Sequence, residues 1–122
     1  MPIQLGCFTR PWNDYSWEDF LQGTAAANFD AVGTMRMGGE WIVGPDTPES
    51  EVNERLSEVE AAGLSPSTCL IGLPIDEGRD AAEQALRNFI EAAAAFGAGY
   101  LLSCGTAPGP NEDIYYDTIA AC

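Results

Sequence analysis

The chain has 122 residues and a mass of 13.0 kDa, with 46% hydrophobic and 20% charged residues, the balance of one globular domain rather than of a disordered tail. Five basic residues stand against 19 acidic ones for a net charge of −14, and all five bases are arginines, with no lysine and no histidine. So acidic a surface argues against nucleic acid and anionic membrane as partners, and without imidazole the chain holds no Ser-His or Cys-His pair and no histidine metal ligand.

The N-terminus, Met1-Pro2-Ile3-Gln4, lacks a basic region followed by an apolar stretch, and no window approaches the roughly 20 apolar residues of a membrane helix, so a cytoplasmic location is expected. Residues 3–8 form a short apolar run, the first strand, which ends at Thr9-Arg10-Pro11-Trp12 because Pro11 cannot continue a ladder. Ser16 then stands as an N-cap before Trp17, Phe20 and Leu21, with Glu18 and Asp19 at the positive end of a helix over about 17–28. The second strand spans 30–35, and its exit carries Arg36, Gly38, Gly39, Glu40 and Trp41 before Gly44-Pro45-Asp46 turns the chain.

Thr47 reads as the next N-cap and Pro48 as the first helical position, Val52, Leu56 and Val59 form the buried stripe, and Gly63 ends that helix. Residues 64–71 form a third strand made irregular by Pro66, followed by a loop over 72–79. In the third helix, about 80–96, Ala82, Leu86, Phe89, Ile90 and Ala93 share a face, and Glu83 is placed to pair with Arg87. Gly97 stops it, a fourth strand covers 99–104, and Glu112 and Asp113 open a fourth helix that has no glycine cap before Cys122. The four cysteines, Cys7, Cys69, Cys104 and Cys122, contain no C-x-x-C pair and read as buried free thiols.

Four β-α units, about 3–28, 30–62, 64–97 and 99–122, average about 30 residues each, the unit size of an eight-fold β/α barrel of about 250 residues. The reading is therefore α/β, with four units forming the N-terminal half of a TIM barrel. The competing arrangement is an open flavodoxin-like sheet, which also fits about 120 residues. Two features favour the barrel: no strand leads into a phosphate-cradling glycine loop, and chemically capable residues follow every strand rather than one switch point.

A barrel builds its site from the loops after the strands. Loop one offers Phe8, Arg10 and Trp12, an arginine beside a tryptophan that suits the apolar face and the hydroxyl or anionic groups of a sugar; otherwise Trp12 caps the barrel and Arg10 pairs with Asp14. Loop two repeats the grouping with Arg36, Glu40 and Trp41, where Gly38 and Gly39 permit either a mobile lid or an ordinary turn with Trp41 on Met35 or Met37. Arg36 is the best anion-binding candidate. Loop three adds Asp76 and Glu77, and loop four adds Ser103, Cys104, Thr106, Glu112 and Asp113, whose acids are explained by helix capping. Cys104 is placed to face substrate or to serve as a small packing residue, and no acid-base pair stands out.

The run Leu5-Gly6-Cys7-Phe8-Thr9-Arg10-Pro11-Trp12 with Tyr15-Ser16-Trp17-Glu18-Asp19 resembles the first β-α unit of the sugar phosphate isomerase/epimerase family, the xylose isomerase-like barrels. Phe29-Asp30-Ala31-Val32-Gly33, Ile71-Gly72-Leu73-Pro74 and Phe96-Gly97-Ala98-Gly99-Tyr100-Leu101-Leu102 are similar to later junctions of the same family, in order along the chain.

The resemblance implies a single, incomplete barrel domain over 1–122, a sugar or sugar-phosphate substrate, and ketose/aldose interconversion or epimerisation by metal-assisted proton transfer. It implies a divalent metal, manganese, magnesium or zinc, held by glutamates, an aspartate and a histidine from the second half of the barrel, with no metal bound by this half. Substrate contacts are expected from Phe8, Arg10, Trp12, Arg36, Glu40, Trp41 and Cys104, with the catalytic residues beyond Cys122, so that this half alone is inactive. The histidine-bearing zinc endonuclease branch of the family is disfavoured. Unpaired strand edges make a homo-oligomer an expected state of the isolated half. The alternative function is a non-catalytic, open-sheet binding or regulatory domain, and a third is a barrel that binds sugars without catalysis.

Overall fold

The computed structural model describes residues 3–122; Met1 and Pro2, part of the N-terminal stretch from which a cytoplasmic location is expected, lie outside the described residues. Four parallel strands, β1 (Gly6–Phe8), β2 (Ala31–Thr34), β5 (Ser65–Ile71) and β6 (Tyr100–Ser103), lie side by side in chain order. They alternate with α1 (Trp17–Ala26), α2 (Glu49–Ala61), α3 (Arg79–Phe96) and α4 (Glu112–Ala121). Between β2 and α2 the chain makes an antiparallel hairpin, β3 (Arg36–Met37) and β4 (Glu40–Trp41).

Strand order decides between the two architectures. A flavodoxin-like sheet reverses direction at a switch point and carries helices on both faces. Here the order never reverses. Trp17, Phe20 and Leu21 of α1, Val52 and Val59 of α2, and Ala93 and Phe96 of α3 all share one core with Val32 and Cys69 of the strands. The helices therefore cover a single face, and the open flavodoxin-like alternative is corrected to barrel-type winding. Side chains alternate along a strand, so Phe8, Gly33, Thr68, Leu70, Tyr100 and Leu102 belong to the opposite face, and Tyr100 and Leu102 there are 74% and 44% exposed.

Local chemistry explains the element ends. Ser16 Oγ accepts from Asp19 N at 3.0 Å, and Asp19 Oδ2 accepts from Ser16 N at 3.3 Å, a reciprocal cap that fixes the start of α1. Gly97 closes α3 in the left-handed region at φ 86°, which only glycine enters without strain. Pro66 lacks an N–H, and the ladder between β2 and β5 shifts there, pairing Val32 with Pro66 and Gly33 with Thr68. Phe20, Phe89 and Phe96 are fully buried, each worth roughly 1.5–3 kcal/mol of transfer free energy.

Several expectations are corrected. The first strand begins at Gly6 and not at residue 3, because the Asp30 carboxylate takes the Leu5 amide at 2.9 Å and replaces the ladder there. Thr47 does not cap α2: its hydroxyl accepts from Gly44 N at 2.9 Å to close the preceding turn, and Pro48 occupies the cap position. Glu83 pairs with Arg79, at 2.7 Å, instead of Arg87, whose guanidinium reaches the Ala121 carbonyl at 3.4 Å. Ile90 is exposed, at the margin of the α3 stripe. The cysteines are all free, but only Cys69 is buried, while Cys104 and Cys122 are exposed. Among the described residues, no helix is long and apolar enough to cross a membrane.

Candidate functional site

The site is built at the ends where the strands hand over to their loops. After Thr34, Met35 leads into the β3–β4 hairpin, whose turn residues Gly38 and Gly39 have φ of 59° and 85°, the paired left-handed conformations of a two-residue hairpin loop. The register places Arg36 directly opposite Trp41, and the guanidinium lies over the indole, 4.6 Å from the ring centroid. Asn13 Oδ1 accepts from Gly38 N at 2.9 Å, so the two glycines form an anchored turn tied to loop one and not a free lid.

Trp41 is held from three sides. Its indole meets Phe89 of α3 edge-on at 5.1 Å, so it packs on α3 rather than on Met35 or Met37. A Cβ added at Gly44 would stand 2.5 Å from Trp41 Cβ, and one at Gly72 would stand 3.2 Å from Trp41 Cζ2; only glycine leaves the ring this position at Gly44. The neighbouring strand is tied in as well. Thr34 Oγ1 donates to Cys69 Sγ at 3.2 Å, and Thr9 Oγ1 accepts from Met35 N at 3.1 Å. Burial pushes the Cys69 thiol pKa up, partly offset by the Thr34 hydrogen bond. Cys69 faces the helices and takes no part in the site.

Around this ring the exits of β2, β5 and β6 enclose a cavity of about 370 Å³, bordered by Arg36, Trp41, Gly72, Ser103, Cys104 and Thr106. Ser103 Oγ and Tyr115 Oη are 2.7 Å apart, which brings α4 to the rim. A neighbouring groove of about 540 Å³ shares Arg36, Trp41 and Gly72 and runs out along α3 past Asp46, Glu77 and Asn88. The smaller cavity is the candidate mouth, because active sites of β/α barrels stand at the carboxyl ends of the strands.

Of the residues singled out by sequence, Arg36, Trp41 and Cys104 meet in this mouth. The others stand elsewhere. Phe8 lies against Gly33 on the uncovered sheet face. Arg10 is exposed in a single 3-10 turn, Arg10–Trp12, and makes no ion pair with Asp14 among the described residues. Trp12 packs down on α1, with ring centroids 6.0 Å from Phe20 and 5.4 Å from Tyr15. Glu40 borders a separate shallow cavity with Glu51 and Arg55. Tyr115 and Met35 line the mouth unannounced: Tyr115 carried no signal beyond an apolar helical position, and Met35 read as the last residue of a strand.

Among the described residues, no group of three or more His, Cys, Asp or Glu stands together as a metal site. The mouth offers hydroxyls, a thiol and a guanidinium, a donor set that does not suit a hard divalent cation, so no step is assigned to a metal on these residues.

No family model matches the sequence, and no curated protein matches it. A solved structure, the crystal structure of D-psicose 3-epimerase in the presence of D-fructose, matches with a TM-score of 0.65 at 10% identity. The match covers 95% of this chain and 50% of that one. The fold is that of half a TIM barrel. The chain spans about half the length of the structure it matches, corresponding to the N-terminal half, and at this identity the likeness shows the fold alone.

Proposed function

We propose that this chain forms four of the eight β/α units of a sugar or sugar-phosphate isomerase/epimerase, one incomplete domain over 1–122, and that its strand exits supply substrate contacts. The single observation that carries the reading is the mouth itself, with Trp41 fixed beside hydroxyl donors at the carboxyl ends of three successive parallel strands. An indole accepts the C–H face of a sugar ring, while Ser103, Thr106 and Tyr115 hydroxyls exchange hydrogen bonds with its hydroxyls. The epimerase likeness, and the resemblance of the strand junctions to sugar isomerases, support a small-molecule sugar as ligand.

Ketose/aldose interconversion or epimerisation moves a proton beside a carbonyl, and the groups that move it are carboxylates or other bases. The mouth lining contains no carboxylate, so these residues bind and orient, and the proton transfer and the divalent metal belong to the four units that complete the barrel. On this reading the chain alone binds without turning over. A catalytically silent sugar-binding barrel is the second reading, favoured by the same absence of an acid-base pair.

Backbone-amide NMR titration of the chain with D-fructose and D-psicose tests the proposal. Shifts concentrated at Arg36, Trp41, Gly72 and 103–106 are expected. No shift there at saturating sugar, or shifts confined to the outer helices, would overturn it.

A further inference from the structure

The space at the strand exits does not end at Trp41. The groove of about 540 Å³ borders on Arg36, Trp41, Gly72 and Leu73, and so does the mouth of about 370 Å³, so the two cavities adjoin at the indole. Clefts that hold a small ligand measure roughly 300–1,000 Å³, a range within which each of the two falls by itself. Side by side they offer room for more than one sugar ring.

The groove is lined differently from the mouth. Its polar side chains beyond the shared Arg36 are Asp46, Glu77, Gln84 and Asn88, where the mouth has hydroxyls and a thiol. Gln84 Nε2 donates to Asn88 Oδ1 at 2.9 Å, and this bond leaves the Gln84 carbonyl oxygen as an acceptor and the Asn88 amide nitrogen as a donor, one helical turn apart on α3. A hydroxyl both donates and accepts, so the two amides together answer it in both senses. Asp46 and Glu77 are exposed and add further acceptors. Leu73, Pro74 and Ala85 stand among these groups and give an apolar surface for the C–H bonds of a ring. A negative group would face the two carboxylates at a cost, and among the described residues no group of three or more His, Cys, Asp or Glu stands together to hold a metal ion. The lining fits a neutral group rich in hydroxyls.

We infer that the groove along α3 is a second saccharide subsite and that the substrate is a glycosylated sugar, with one ring in the mouth, a second, neutral ring in the groove and Trp41 at the junction. The inference rests on the reading of the mouth as a sugar site. It adds a separate binding site and a substrate of at least two sugar units.

Calorimetric and backbone-amide NMR titrations of the chain with D-fructose, and with fructose carrying a glucosyl unit at O3 (turanose) or at O6 (isomaltulose), test it. At least one disaccharide should bind roughly tenfold tighter than D-fructose, the gain of one or two further hydrogen bonds, and only disaccharides should shift the amides of Asp46, Glu77, Gln84 and Asn88. The tighter of the two shows which hydroxyl of the first ring points out of the mouth. Ala85→Phe, which fills the groove from a half-buried position, should erase the gain and leave D-fructose affinity unchanged. Gln84→Ala, at an exposed position, removes one of the two amides and should lower the gain severalfold even if the bulkier variant fails to fold; melting curves check both chains. Disaccharides that bind no tighter than D-fructose, or a gain that survives both substitutions in folded chains, overturn the inference and leave the sugar site standing. Failure of all three sugars to bind overturns both.

Discussion

Loops one and two carry the same grouping, an arginine with a tryptophan a few residues on, at the exits of adjacent parallel strands, yet Trp12 is drawn down onto α1 while Trp41 is held up at the mouth. The difference lies in what each indole finds beneath it. Trp12 meets Gly23, where an added Cβ would fall 2.0 Å from its Cη2, so the ring occupies a notch in the helix. Trp41 meets Phe89, Gly44 and Gly72, which support it from below and leave its outer face to Arg36. The same pair of residue types becomes a packing device or a ligand platform according to where the small residues lie on neighbouring elements.

The support under Trp41 gives the largest expected effect. Phe89 is fully buried, and Phe89→Ala should cost about 3–5 kcal/mol in urea unfolding, the usual range for a core aromatic cut to alanine. It should also free the Trp41 ring, shifting tryptophan emission to the red in whatever fraction stays folded. If stability falls by less than about 1 kcal/mol, Phe89 is not the support on which Trp41 rests.

Loop one is challenged at Gly23. Gly23→Ala puts a methyl where the Trp12 ring now lies, and the ring must leave its notch, at a cost of about 1–3 kcal/mol as for other overpacked sites. The contrast with loop two is sharp here. Ligand-induced shifts at Arg36 and Trp41 should survive Gly23→Ala unchanged, because Trp12 does not line the mouth. Loss of those shifts would mean that the two loops act as one site.

Ser16 holds the start of the helix on which Trp12 rests, through its reciprocal cap with Asp19. Ser16→Ala should cost about 1 kcal/mol, and a Ser16→Ala/Asp19→Ala double variant should cost less than the sum of the single changes. Additive losses would show that the two cap bonds are independent.

The split between the loops also shows how far residue patterns reach. Ser16, Gly63, Gly97 and the irregularity at Pro66 were legible because each acts on its own backbone within a turn or two. Unit lengths of about 30 residues suggested the barrel, and the strand order together with the single helical face settled it against the open sheet. The β3–β4 hairpin is not legible in the sequence because strands of two residues have no period to read, although Gly38-Gly39 is its proper turn. Trp12 is hard to place from sequence for a different reason. Its fate is decided by an absent side chain at Gly23, eleven positions on, and Thr47 was likewise claimed by Gly44 before it could serve α2.

The smallest effect concerns the strands beneath loop two. Cys69 is fully buried against Thr34, one residue before Met35 and two before Arg36, and burial raises its thiol pKa above the ordinary 9.0. The folded state therefore keeps the proton while the unfolded chain releases it. Stability from this group is fully present below pH 9.0 and is lost as pH climbs from there toward the folded value. Urea midpoints measured between pH 8 and 10 should show that decline, and Cys69→Ala, less stable at every pH, should flatten it. Loop one has no buried thiol beneath it, so a decline that persists in Cys69→Ala would place the titrating group elsewhere and leave the ties beneath Arg36 insensitive to pH.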